Sequence, residues 1–232
     1  MDKFDKFEKL DRKVEETLHE VETMDRRKFY KNSFAYAAVW ALLLNLLIET
    51  LGRFPTAGIF GGLTFMVHSP LVFLYNALIL YATLVLASLS KRRVFFFTII
   101  SIFWLGIGII NGVILTQRMT PFTVKDLSNL NDGLTIVTNY LSNYEIIGAI
   151  AAGLIAVGLL VLLFIKGPQK RDGVKRKRNL VAVLLVIAFT FLSSSFVIRA
   201  GIVQTFFGNL AYAYRDYGVV YCFVNTWLNT GI

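Results

Sequence analysis

Five apolar runs, each about as long as a membrane-spanning helix and bounded by charge or a turn signal, leave this chain few folds to choose from. They cover approximately 34–51, 69–89, 94–116, 145–165 and 179–198. A hydrocarbon core of ~30 Å asks about 20 residues of an α-helix, so each run is long enough to cross. Lipid offers backbone N–H and C=O groups no partner, which leaves helices as the means of crossing for runs of this kind. The expected fold is therefore all-α: a polytopic membrane protein with five transmembrane helices. A hydrophobic share of 56%, with 20 Phe, is too apolar for a soluble domain of this size.

Charge sets the expected orientation. The chain carries a net charge of +9, but residues 1–31 hold nine basic and nine acidic side chains and cancel. The excess sits in short segments between runs, which is a topological pattern and not a nucleic-acid-binding face. Counted by alternate segments, Lys and Arg number 19 on one side of the spans and five on the other. The positive-inside rule then places the N-terminus in the cytoplasm, and five spans place the C-terminus outside. Segments Arg26-Arg27-Lys28 and Lys175-Arg176-Lys177-Arg178 serve as topology anchors against anionic inner-leaflet lipid, each charge worth ~1 kcal/mol there.

Three regions follow. Residues 1–32 are a charged amphipathic helix, with Phe4, Phe7, Leu10, Val14, Leu18, Val21 and Met24 spaced by threes and fours. Docking on the cytoplasmic ends of the bundle, membrane contact and self-association are all open to it. Residues 33–200 are the transmembrane domain, and 201–232 are extracellular juxtamembrane linker helices. Ser69-Pro70 is a helix start, with a serine cap and proline in the first turn. Gly52 to His68 is read as a loop. The lone Cys222 is a small packed side chain, and His19 and His68 lie too far apart for a metal cluster.

Inside the runs the polar residues are Asn45 and Glu49 on the first, Asn76 on the second and Asn111 on the third. Glu49 lies within a turn of the outer interface, where a carboxylate reaching water acts as an interfacial group or cap. Gly106, Gly108 and Gly112 give the third run a small-residue face suited to close helix packing.

On the outer side, Pro121 stops the third helix and Thr123, three residues before Asp126, opens a capping box. The apolar spacing then predicts a flat amphipathic helix over about 124–141, and Gly218 is a helix stop. Arg118 or Arg215 could pair with a lipid phosphate, or with Asp216 or Asp126 across the outer surface; this segment is expected to meet Tyr214 to Tyr217. The ending at Asn229-Thr230-Gly231-Ile232 is expected to lead into a further domain.

Thr120-Pro121-Phe122 followed by Asp126-Leu127 after the third span, with Ala213-Tyr214-Arg215-Asp216-Tyr217-Gly218 after the fifth, resembles the membrane portion of lipoteichoic acid synthase-like proteins. The resemblance covers roughly residues 33 to 232. It implies the plasma membrane of a bacterium and a module that anchors and links an extracellular sulfatase-like phosphoglycerol transferase domain absent from this sequence. That domain would use a divalent metal (Mn or Mg), with phosphatidylglycerol as the implied lipid; the chain itself offers no cofactor site and no catalytic residue. The matching positions are Arg118, Thr120, Pro121, Asp126, Arg215, Asp216 and Tyr217. Two other classes stay open: a small transporter or channel, disfavoured by little midplane charge, and a scaffold recruiting partners through residues 1–32.

Overall fold

A computed structural model describes residues 33–117, 119–128, 157–167 and 176–229, and every element among them is a helix. The expected helix at 1–32, most of the amphipathic helix beyond Ser128, the first part of the run at 145–165, and Arg118 lie outside the described residues.

Helix α1 spans Ser33–Ala57. It is built of Leu, Ala and other good helix formers, and it continues through Pro55 to end two residues later. Proline's missing N–H costs only one bond in this last turn, so the helix runs on past Leu51, where the apolar run ends. Gly58, at φ +64°, then turns the chain through a short 3-10 segment, Gly58–Phe60. Helix α2, Gly61–His68, folds back along α1. The loop expected from Gly52 to His68 is thus largely helical; Phe65 is its one large apolar side chain in the core, while Ile59, Phe60, Leu63 and Val67 are exposed. Gly62 makes the approach feasible: a Cβ there would collide with the Thr50 hydroxyl and the Leu46 carbonyl.

Helix α3, Pro70–Leu84, has proline at its first position, but the Ser69 side chain makes no capping bond. A 3-10 stretch, Val85–Leu89, extends it to the turn at Ser90–Arg92. Helix α4, Arg93–Gln117, returns beside α1. Short helix α5, Val124–Ser128, follows; α6 is described as Val157–Lys166 and α7 as Arg176–Arg199. Gly201, at φ +71°, breaks the chain, and α8 (Leu210–Tyr217) and α9 (Val219–Asn229) complete it. Asn209 caps α8 by accepting from the amides of Ala211 and Tyr212, at 2.9 and 3.3 Å.

Among the described residues four helical stretches are long and apolar enough to cross a membrane: Phe34–His68, of which α1 is the long part, Pro70–Leu89, Arg93–Thr116 and Lys177–Arg199. The described part of α6 is shorter than a span. Leu185, Phe189, Phe191, Leu192 and Phe196 of α7 are all more than half exposed, an apolar face that water would not tolerate and lipid would. The core is formed where α1 meets α3 and α4, around Leu44, Ile48, Leu80 and Leu84.

The glycines of α4 have separate roles. A Cβ on Gly108 would sit 3.2 Å from the Ile48 backbone, and one on Gly112 would meet the Leu51 carbonyl, while Gly106 faces open space. Small residues at 108 and 112 therefore set the α1–α4 distance, as helix packing in lipid requires; Gly106 has no part in it. Gly112→Val is expected to destabilise the protein by about 1–3 kcal/mol, and Gly106→Ala to stay within ~0.5 kcal/mol of wild type. Unfolding of the detergent-solubilised protein checks both.

Candidate functional site

Two of the polar residues of the spans, Glu49 and Asn76, converge with Arg53 on one junction, where α8 ends and α9 begins. Glu49 and Arg53 lie one turn apart on α1 and form an ion pair, Arg53 Nε to Glu49 Oε2, at 2.8 Å. Glu49 is fully buried. Its other oxygen, Oε1, accepts from the Val219 amide at 2.7 Å, the first N–H of α9. Arg53 Nη1 and Nη2 donate to the carbonyls of Arg215 and Tyr214, at 2.8 and 3.0 Å, in the last turn of α8. A carboxylate therefore meets the positive end of one helix and a guanidinium the negative end of the helix before it, each where the macrodipole favours it. Arg53 also lies 4.0 Å above the Phe65 ring of α2.

Asn76 of α3 completes the junction. Its Oδ1 accepts from the Tyr221 amide at 2.7 Å, and its Nδ2 donates to the Tyr217 and Val72 carbonyls at 2.9 and 2.8 Å. Gly218 connects the two helices at φ +85°. Only glycine takes that conformation at little cost, and here a Cβ would also sit 2.8 Å from Glu49 Oε1 and 2.9 Å from both polar atoms of Asn76.

Asn111 of α4 ties the other outer segment. It donates to the Gly52 carbonyl at 3.2 Å and accepts from the Phe122 amide at 3.0 Å. The Phe122 carbonyl in turn accepts from the Tyr214 hydroxyl at 2.6 Å, and the Phe122 ring stacks on Phe223 of α9. Burial pushes the Tyr214 hydroxyl well above the usual tyrosine range, so it remains a donor. Asn45, also buried, donates to the Phe73 carbonyl at 3.0 Å. Cys222 is buried in α9, and burial, with the Glu49 charge next, raises its thiol well above the usual range.

The structure brings some predicted residues together and separates others. Glu49 does not reach water as expected. It does cap, but the helix it caps is α9, and the apolar walls that bury it also leave the ion pair as its compensation. Arg215 pairs with its neighbour Asp216 at 2.8 Å on an exposed surface. Asp126 accepts from the Thr123 amide and hydroxyl at 2.7 and 3.1 Å, holding the first turn of α5. Thr120 is exposed and Pro121 buried. Pro121, Asn111, Arg53, Tyr212 and Arg215 line a cleft of about 230 Å³. Tyr217 lies half-buried between the Phe207 and Tyr221 rings.

Arg53 escapes a reading of the sequence that counts it only as the single basic residue of an outer loop. The signal that finds it is the i, i+4 spacing from Glu49, the favourable order for a helical ion pair. Among the described residues no three His, Cys, Asp or Glu side chains gather into a metal-binding group.

No family model matches the chain, and no curated protein or solved structure proves similar to it.

Removing the carboxylate while leaving the guanidinium strands a charge in a buried site, so Glu49→Leu is expected to cost about 3–5 kcal/mol. Glu49→Leu with Arg53→Leu should cost less than the sum of the two single changes, with a coupling of about 2 kcal/mol. A double-mutant cycle on unfolding of the solubilised protein measures this.

Proposed function

We propose that this chain is a membrane-anchoring and linker module of the lipoteichoic acid synthase-like kind. It crosses the plasma membrane of a bacterium five times, with the N-terminus in the cytoplasm, and holds the helices that follow the last span against the outer leaflet. The observation that carries the reading is the buried Glu49–Arg53 pair, which fixes the end of α8 and the start of α9 to α1. A linker that must place a catalytic domain at a defined height needs such a joint, and a mobile tether would not need it.

Two further observations support it. The motifs around Pro121-Phe122 and Tyr214-Arg215-Asp216-Tyr217 meet through the Tyr214–Phe122 hydrogen bond. The cleft beside Arg53 and Arg215 opens at this end of the bundle, where a lipid headgroup would lie. The basic residues of the Ser90–Arg93 turn and of α7's first turn lie at the other end, since Asn179 of α7 donates to the Ser88 carbonyl at 3.2 Å. That separation favours a cytoplasmic face at the Arg92 end. A channel finds less support: Asn45, Asn76 and Asn111 are all buried and bonded to backbone groups of neighbouring segments.

Two outcomes test the reading. Because Cys222 is buried, a cysteine introduced as Phe206→Cys is expected to react with a membrane-impermeant maleimide in intact cells, and one introduced as Lys91→Cys only after lysis. The reverse pattern would invert the topology. Deleting the reading frame from its host is expected to remove glycerol-phosphate polymer from envelope extracts probed with a polymer-specific antibody, and unchanged polymer would overturn the assignment.

A further inference from the structure

At the end of the bundle away from Glu49, the turn between α3 and α4 holds polar groups that the account above does not use. Two local bonds shape the turn: the Arg92 amide donates to the Ser90 hydroxyl at 3.1 Å and the Ser90 amide to the Ala87 carbonyl at 3.2 Å. Helix α7 is fastened beside it by the Asn179 to Ser88 bond. Arg92 is only partly exposed, and its guanidinium carbon lies 4.1 Å above the Phe164 ring of α6. Phe164 also packs edge-on against Phe95 at 4.9 Å, so the ring that supports the guanidinium is itself supported. Among the described residues, Arg92 Nη1 is buried with no hydrogen-bond partner. The same is true of the hydroxyl of Ser88, four residues away and 2% exposed.

Leaving a buried cationic donor unmatched is costly, and an anionic acceptor is the partner that offsets most of that cost. Among the described residues the surroundings favour the same sign. Segments 85–97, 157–167 and 176–186 contain no Asp or Glu, and Lys91, Lys166, Lys177 and Arg178 are exposed around them. Stacking on an aromatic face fixes the plane of an arginine, which suits it to the oxygens of a phosphate more than to diffuse attraction. The helices on either side present apolar side chains, among them Val94, Phe96, Leu162 and Ile165, each exposed by 40% or more. Acyl chains would lie along these side chains with the phosphate at the turn.

We infer that the Ser88–Arg92 turn, with Phe164 and the start of α7, is a site for the phosphate of an anionic phospholipid in the leaflet at the basic end. The lipid clamps α6 and α7 to the α3–α4 hairpin. This inference rests on the membrane reading of the helices and is independent of any role for the Glu49 end. A free phosphate ion shares the headgroup chemistry but has no acyl chains for the flanking apolar residues.

The test is native mass spectrometry of the full chain, released from micelles containing equal phosphatidylglycerol and phosphatidylcholine. One phosphatidylglycerol is expected to be retained in preference. Arg92→Leu should lower that retention about tenfold or more, as loss of a charge-assisted hydrogen bond would. Lys91→Ala, which removes an exposed charge, should lower it less than about fivefold. Arg92→Lys keeps the charge and gives up the planar fork; it is expected to retain measurably less lipid than wild type, and it carries the test if Arg92→Leu does not fold. Equal retention of phosphatidylcholine, equal losses for Lys91→Ala and Arg92→Leu, or undiminished retention by Arg92→Lys would overturn the site. Displacement of the lipid by millimolar inorganic phosphate would overturn the lipid assignment in favour of a free anion. Binding unchanged by every Arg92 variant, together with a stability loss equal in both lipids, would assign the guanidinium to a protein partner and also overturn it.

Discussion

The Glu49–Arg53 pair can exist in a buried, apolar place only because helix ends surround it. Two isolated charges there would each cost several kcal/mol of lost hydration, more than their mutual attraction restores. Here the carboxylate also takes the first amide of α9, and the guanidinium also donates to two carbonyls at the end of α8. The Tyr214 carbonyl also takes the Gly218 amide at 3.1 Å, but helix ends leave terminal N–H and C=O groups short of intrahelical partners, and the pair supplies them to the Val219 amide and the Arg215 carbonyl. The need is mutual. The junction leaves its terminal groups to α1 and α3, and α1 keeps its charges because the junction is there.

The same logic explains why the buried asparagines stand where they do. Asn76 joins α3 to both sides of Gly218, and Asn111 joins α4 to the end of α1 and to Phe122. Asn76 reaches the Tyr217 carbonyl and the Tyr221 amide at two helix ends, and Asn111 reaches the Phe122 amide in a turn; Asn45 instead bonds to the Phe73 carbonyl within α3. Apolar side chains could fill these positions, but they could not satisfy irregular backbone at the edge of a membrane domain, where such groups must find partners inside the protein. Tight approach then replaces the missing hydrophobic drive between helices in lipid, and Gly62, Gly108 and Gly112 supply it.

Much of this fold is legible in the sequence, and what is not legible has physical causes. Length and hydropathy locate the runs because a bilayer imposes a fixed thickness, and Gly218 declares itself as a stop because its neighbours are helical and it alone lacks a Cβ. Pro121 and Tyr214 stand out as polar or turn-forming residues between apolar ones. The reach of α1 beyond Arg53 is hidden, because one charge near an interface looks like the end of a span when its partner on the same helix goes uncounted. The fold-back of α2 is hidden as well, since Ile59-Phe60-Gly61-Gly62-Leu63 carries no periodicity strong enough to separate helix from loop. The partner of Glu49 at Val219 lies 170 residues away and is a backbone amide, so no side-chain pattern could announce it.

With the Glu49–Arg53 pair and Asn76 fastening the adjoining ends of α8 and α9, their position follows α1 and α3, and anything attached to them inherits that position. This links the buried ion pair to the proposed role in anchoring. The most direct measurement is amide hydrogen exchange over Val219–Asn229 in the intact protein and in Glu49→Leu. Strong protection of that segment in the intact protein is expected, with a local loss of about 100-fold or more in the variant while Arg93–Gln117 stays protected, the local opening of one structural unit. Fast exchange of the segment in the intact protein, or protection that the substitution leaves unchanged, would contradict the account.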